Sequence, residues 1–353
     1  MSGQEENRTQ VLIVGAGPAG LAAALELADS GIAPLVLERR PASGSHPRAT
    51  ALTPATMQLI SRWGAEAEVR RLGFRCEHAM SIRPCLTGPE IHRVPFDDHV
   101  WTCAQDYLET VLAERAASAG AQVRYGAELT GLQVTDGAIL AAVTGSLGTL
   151  STIRAQYVVG ADGARSAVRA AAGITASRTR AFGHWISILF RSPLRDYTGD
   201  PPCMIYGIGD PAAGGVIVPT DATYRWIRGI PWHPELGERI EDYDGQRCAA
   251  LIRSAAGVPD LPVAIAGIRA FEMTAALADS YRAGRAVLAG DAAHVFTPAT
   301  GMGLNLAIHD GTVLAGALAD AMSHGDRPEA LDQYEQACRP IAEKLLEAEL
   351  APA

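Results

Sequence analysis

An α/β fold, with a parallel sheet interrupted by an antiparallel sheet and followed by C-terminal helices, is predicted by three observations. An apolar run of strand length at residues 11–14 leads into Gly15, Gly17 and Gly20 and then a helix-compatible segment over 21–30. Two further buried-strand patterns, 156–160 and 285–290, each deliver an aspartate at their C-terminal end, Asp162 and Asp291. Between them lie short strand-like patches separated by Gly, Pro and Asp turns.

The first element has the spacing of a Rossmann-like dinucleotide turn. Gly15 permits the tight turn, Gly17 lets the backbone approach a pyrophosphate, and Gly20 lets the helix pack closely on its strand. Pro18 and Ala19 stand between them at the helix N-terminus, which faces the pyrophosphate charge. A second strand, Leu35–Glu38, ends in an acid eighteen residues after Gly20. A carboxylate there can accept hydrogen bonds from both ribose hydroxyls.

Taken alone, this pattern fits NAD and FAD equally. The stretch from Asp291 through Pro298 to Gly301, Met302, Gly303, Leu304 and Asn305 separates them. A carboxylate at Asp291 can hold a sugar-alcohol chain, and the helix beginning near Leu304 offers free N–H groups and a partial positive charge. These suit the electron-rich pyrimidine edge of a reduced flavin, and nicotinamide has no such edge, so FAD is the expected cofactor. Asp162 and Gly163, followed by Ser166 and Arg169, repeat the arrangement at a second strand end. Asp291 by itself reads equally well as a helix N-cap; the repetition argues for a ligand. His294 reads as a packing and hydrogen-bonding residue rather than an acid or base.

The nucleotide lobe is therefore discontinuous: residues 9–75, 104–170 and 284–320. Residues 76–103 and 171–283 form a second, substrate lobe, and 321–353 a C-terminal helical segment. Patches at 185–190, 203–206, 215–218 and 224–227 predict an antiparallel sheet covering the flavin ring. Trp101, Trp185, Trp226 and Trp232 fall in or beside this lobe, as core more than as cavity wall. Helices are expected over 304–322 and 328–349, with Gly325 and Pro328 marking the break.

Composition narrows the function classes. A net charge of −9 argues against nucleic acid and gives no reason for docking on an anionic membrane. The 6 cysteines show no CxxC pair and no metal-like clustering with the 9 histidines, so no metal is expected and they read as free thiols of a cytoplasmic protein. The N-terminal ten residues are polar, unlike a signal peptide, and the apolar stretch 11–28 is broken by glycines and Pro18, unlike a membrane span.

With these motifs in place, the chain resembles the para-hydroxybenzoate hydroxylase family of single-component FAD monooxygenases, and most closely its branch of aromatic polyketide and phenol hydroxylases. The resemblance covers nearly all of residues 9–345. It includes His46-Pro-Arg-Ala-Thr50, Thr56-Met-Gln-Leu59, Gln105-Asp-Tyr-Leu-Glu109 and the run 334–340. It does not extend to the C-terminal thioredoxin-like domain that such hydroxylases usually carry, since this chain stops at Ala353. The resemblance implies that Glu38 and Arg39 contact the adenosine ribose, that Arg48 and Gln105 reach the pyrophosphate and ribityl chain, and that Leu129 lies beside adenine. It further implies that Asp162 and Gly163 touch the cofactor, that Asp291 binds the ribityl hydroxyls, that Pro298 lines the oxygen-reacting face, and that the 301–305 backbone cradles the isoalloxazine.

The activity so implied is hydroxylation of an aromatic or polyketide-type natural product. NADPH or NADH reduces FAD transiently, molecular oxygen adds at flavin C4a, and the hydroperoxide transfers an oxygen atom. The same motifs leave open an FAD-dependent oxidase or dehydrogenase, and a non-redox cyclase that uses FAD structurally. A flavin-dependent halogenase is disfavoured, because the chain's only lysine, Lys344, lies in the last helix and 226–231 departs from the Trp-x-Trp-x-Ile-Pro signature. Oligomeric state, monomer or dimer, stays open.

Overall fold

The apolar runs become central strands of a parallel sheet, because residues buried on both faces give continuous hydrophobic stretches. The computed structural model describes residues 7–351 apart from 136, 199–201, 211–213 and 324–326, so the expected break at Gly325 lies outside the described residues. Two units are distinguished: residues 1–45, 108–180 and 275–353, and residues 46–107 and 181–274.

In chain order, β1 (Asn7–Val14), α1 (Pro18–Asp29) and β2 (Leu35–Glu38) open the first unit. The second begins with β3 (Ala51–Leu52), α2 (Pro54–Arg62), α3 (Glu66–Leu72), β4 (Phe74–Arg83) and β5 (His92–Thr102). After the first turn of α4 (Gln105–Ala119), the chain re-enters the first unit with β6 (Gln122–Tyr125), β7 (Glu128–Val134), β8 (Ile139–Thr144), β9 (Leu150–Gly160) and α5 (Ala167–Ala171). Most of β10 (Arg178–Arg191), then β11 (Ile205–Ile208), β12 (Gly215–Pro219), β13 (Arg225–Trp232), α6 (Gly245–Ala256) and most of β14 (Ala264–Leu277) return to the second. The first is completed by β15 (Arg282–Ala283), β16 (Ala286–Leu288), β17 (His294–Val295), α7 (Gly303–Ser323) and α8 (Asp332–Leu350).

In the first unit, β16, β9, β1, β2 and β6 lie side by side and all parallel, while β7 and β8 form an antiparallel flap on β9. The ends of β1, β9 and β16 are therefore neighbours on the carboxyl edge of one sheet. α1 packs against α7, and the approach depends on missing side chains. A Cβ at Gly311 would lie 2.3 Å from the Ala19 carbonyl oxygen, and one at Gly290 would lie 2.9 Å from the Ala19 Cβ. α8 belongs to this unit rather than standing apart, since the Tyr334 hydroxyl donates to the Leu288 carbonyl at 2.8 Å.

The second unit carries one sheet in the order β14, β10, β13, β12, β11, β4, β5 and β3. α6 is started by Asp244, whose carboxylate accepts from the Arg247 N–H at 2.8 Å, and ended by Gly257 in a left-handed conformation. It covers the face bearing Ile186, Ile188, Phe190, Trp226 and Ile217. Residues 46–75, expected in the nucleotide lobe, fall in this unit. The reason is pairing: β3 joins β5, and β4 begins at Phe74 opposite Thr102.

Two substitutions within α7 have opposite expected outcomes. Gly311→Ala forces the Ala19 backbone away and lowers unfolding stability by about 1–3 kcal/mol. At the exposed Gly316, where an added Cβ meets nothing within 4 Å, alanine raises stability by about 0.5–1 kcal/mol. Urea unfolding midpoints check both.

Candidate functional site

Three turns meet at the carboxyl edge of the parallel sheet. The first follows β1, where Gly15 adopts φ +108 and its N–H donates to the Leu37 carbonyl at 2.7 Å. A Cβ at Gly15 would lie 2.2 Å from the Ala161 carbonyl oxygen, and one at Gly20 would lie 2.0 Å from the Gly15 oxygen. Any side chain at either position would push the turn off the neighbouring strand end. Gly17 differs: a Cβ there meets nothing within 4 Å. It caps α1 with no side-chain hydrogen bond, and Pro18 follows in the first turn. Gly17 thus stands beside open space just ahead of the buried Ala19 and Gly20, at a helix N-terminus whose first N–H groups have no intrahelical partner.

The second turn follows β9. Asp162 accepts from the N–H groups of Ala167 and Val168 at 2.7 and 3.2 Å and from the Ser166 hydroxyl. Its carboxylate, expected to touch the cofactor, is thus engaged in capping α5, while Gly163 at φ +86 leaves space on its Cβ side. Arg169 ties this turn to the third, donating to the carbonyls of Ala164 and Ala292 at 2.7 and 2.8 Å.

The third turn follows β16 and holds the half-buried Asp291. Behind it Asp310, fully buried on α7, accepts from the Gly290 N–H at 2.9 Å and from His294 Nε2 at 2.6 Å. His294 thus packs and bonds, as its place in the sequence suggests. His309, Asp310 and Cys338 also come together, their ligand atoms all within 4.8 Å, a grouping invisible in the sequence spacing. Burial pushes the Cys338 thiol pKa upward, against the thiolate a metal needs.

From Asp291 the chain passes Pro298 and Gly301 to the start of α7, where Gly303 again leaves an added Cβ with nothing within 4 Å. Met302 and Leu304 flank it. The Asn305 side chain donates to the Gly301 carbonyl at 3.3 Å, fastening loop to helix. Leu129, half-buried, pairs with Val143 in the β7–β8 flap.

Glu38 is placed at the end of β2 as expected, and Arg40 closes on it. One carboxylate oxygen accepts from the Arg40 N–H at 2.9 Å and Nε at 3.0 Å, the other from the Ala16 N–H and Arg40 Nη2, both at 3.1 Å. Two acceptor sites per oxygen are then filled, so a ribose hydroxyl reaching Glu38 displaces Arg40. Burial would raise the Glu38 pKa, yet the Arg40 hydrogen bonds outweigh it and hold the carboxyl below its ordinary value. Arg39 is exposed. Arg48 and Gln105 belong to the second unit, where the Gln105 N–H donates to the Ala49 carbonyl at 3.0 Å.

Beside Arg48 in the second unit, His46 is 8% exposed and its Nε2 lies 2.8 Å from the Ser187 hydroxyl. Asp106 and Arg225 form a buried two-point pair at 2.6 and 3.1 Å. Arg228, on the α6 side of the sheet, donates to the carbonyls of Gly214, Val216 and Gly229. Burial lowers its pKa to about 10. On the opposite face Trp185 lies against Gly229, where a Cβ would sit 3.6 Å from its ring.

This geometry accompanies clear kinship. A family described as FAD binding domain matches residues 8–349, and the chain belongs to it. A Streptomyces coelicolor protein described as a polyketide hydroxylase is 35% identical over 357 residues, which cover 97% of this chain and 57% of that protein. Aklavinone 12-hydroxylase RdmE of Streptomyces purpurascens is 34% identical, over 98% of this chain and 68% of its own length. The chain also superposes on a crystal structure of aklavinone-11 hydroxylase in ternary complex with FAD and aklavinone, with TM-score 0.87, 32% identity, 98% of this chain and 68% of that one covered. The cofactor is FAD, and the open space beside Gly17 and Gly303 at two helix N-termini fits it. Among the described residues no helix is long and apolar enough to cross a membrane.

The buried His46 has a pKa lowered to about 4, first by burial and then by Arg269 and Arg225. Its neutral form is the folded one, so the stability it confers is complete above the ordinary value of 6.5 and is lost as pH falls from 6.5 towards 4. His46→Gln is expected to flatten the pH dependence of unfolding stability across that window. Denaturant titrations at several pH values check it.

Proposed function

We propose that the chain carries the FAD and substrate sites of an NAD(P)H-dependent monooxygenase that hydroxylates a multi-ring aromatic, polyketide-type compound. The observation that carries this reading is the alignment of three glycine-bearing turns at the neighbouring ends of β1, β9 and β16. Bound FAD supplies hydride acceptance from the nicotinamide donor and the reaction with molecular oxygen.

The protein's share is holding and orienting. In this reading the Gly17 backbone and the α1 N-terminus take the pyrophosphate, and Asp291 takes the ribityl hydroxyls. The start of α7, at 301–305, sets its partial positive charge against the pyrimidine edge and so favours negative charge there. Pro298 lines the ring face. In the second unit, the sheet face opposite α6 offers Trp185, Ile227, Val216 and Val218 half-buried and apolar, a surface suited to a flat aromatic substrate. Six free cysteines agree with a reducing cytoplasm.

The purified protein is expected to be yellow and to bleach when NADPH or NADH is added anaerobically, faster with an accepted aromatic present. Labelled oxygen gas should then leave one labelled atom in the product. A yellow protein that neither donor bleaches, with substrates present, contradicts the redox reading. Asp291→Ala should purify colourless with its fold intact by circular dichroism; a fully yellow variant removes Asp291 from the flavin site.

A further inference from the structure

Thr297 stands at the N-cap of the turn Pro298–Thr300, where a threonine hydroxyl ordinarily accepts a backbone N–H, yet no such bond is made. Instead its amide N–H and hydroxyl both donate to Oε1 of Glu349, at 2.9 and 2.7 Å. Glu349 is 52 residues further on, in the last turn of α8. Its other oxygen is buried with no partner among the described residues.

α8 is itself fixed along its length within the first unit. Arg282 pairs with Asp332 at 2.5 Å, Glu335 accepts from the Ser280 hydroxyl at 3.1 Å, and Arg178 lies 3.6 Å from Glu347. Two charge-assisted bonds from a carboxylate on so anchored a helix make a firm post for a loop. Beyond Thr297 the loop is closed on itself. The Gly301 N–H donates to the Pro298 carbonyl at 3.1 Å, the Thr300 hydroxyl to the Thr297 carbonyl at 3.1 Å, and the Met302 N–H to Thr300 Oγ1 at 3.3 Å. Fixing Thr297 therefore fixes residues 297–302 and the entry to α7 as one piece.

We propose that Glu349 is a positioning residue, which through Thr297 holds the 297–302 loop where the flavin ring needs it. The proposal rests on the reading that this loop faces the flavin. None of the glycine motifs extends to position 349, and the residue reaches the site only through tertiary contact.

Backbone hydrogen exchange of the apoprotein, paired with FAD titration, tests it. In Glu349→Ala the amides of 299–302 should exchange at least tenfold faster than in the wild type, those of α8 before residue 345 should be unchanged, and FAD should bind roughly tenfold more weakly. Glu349→Gln, which keeps the acceptor without the charge, should fall between. Thr297→Val should weaken FAD binding as well, and the double variant should be no worse than Glu349→Ala alone. Unchanged loop exchange, or faster exchange confined to the last turn of α8, overturns the proposal. Faster loop exchange with unaltered FAD affinity also overturns it, because the loop would then be held without consequence for the flavin. A wild-type protein that takes up no FAD would instead overturn the functional reading, and the apoprotein exchange distinguishes the two failures.

Discussion

Backbone-to-backbone contact at the β1–α1 turn is the constraint on which the first unit depends. The turn lies so close to the end of β9 that no side chain fits at Gly15, and so close on itself that none fits at Gly20. The same economy recurs where α7 crosses α1, at Gly290 and Gly311. Losing side chains at these points sacrifices packing area and raises the entropy lost on folding. What is gained is three strand ends and two helix N-termini brought close together.

Polar locks hold these close-packed turns in place. Arg169 bridges the turns after β9 and β16, and Asp310 fastens the Gly290 N–H and His294 from behind. The buried carboxylate of Asp310 sits among the aromatic rings of Tyr281 and Tyr334, whose hydroxyl pKa values burial raises. The hydrogen bonds from the Gly290 N–H and His294 Nε2 both fall on one oxygen of that carboxylate. These bonds tie the turns after β9 and β16 to each other and to α7.

Much of this was legible in the sequence, because strands and turns are local. The apolar runs, the glycine spacing and β2 to its last residue, Glu38, follow from patterns a few residues long. The interactions that decide what each carboxylate does are long-range or conformational, and they were not legible. The Arg40 guanidinium folds back on Glu38 just past the end of β2, while Arg39 is exposed. Asp162 caps α5, a role set by the helix starting five residues later. The assignment of residues 46–75 to the second unit follows from the pairing of β3 with β5, and β3 has only two residues, too short for any periodicity to register. Arg228 is buried in the second unit, and its carbonyl partners on Gly214, Val216 and Gly229 are set by strand pairing rather than by any local pattern.

The central claim is that the first unit is shaped around a dinucleotide at Gly17, and Gly17→Val tests it most directly. Gly17 has φ −85, which valine adopts without strain, and a Cβ there meets no protein atom within 4 Å. Calorimetric titration of the apoprotein with FAD should show affinity lost by about a hundredfold or more, as a bulky side chain occupies the pyrophosphate's place, with unfolding stability lowered by no more than the about 1 kcal/mol that a poorer N-cap costs. A Gly17→Val protein that binds FAD as tightly as the wild type would contradict the account, because the open space beside Gly17 would then not be the cofactor's.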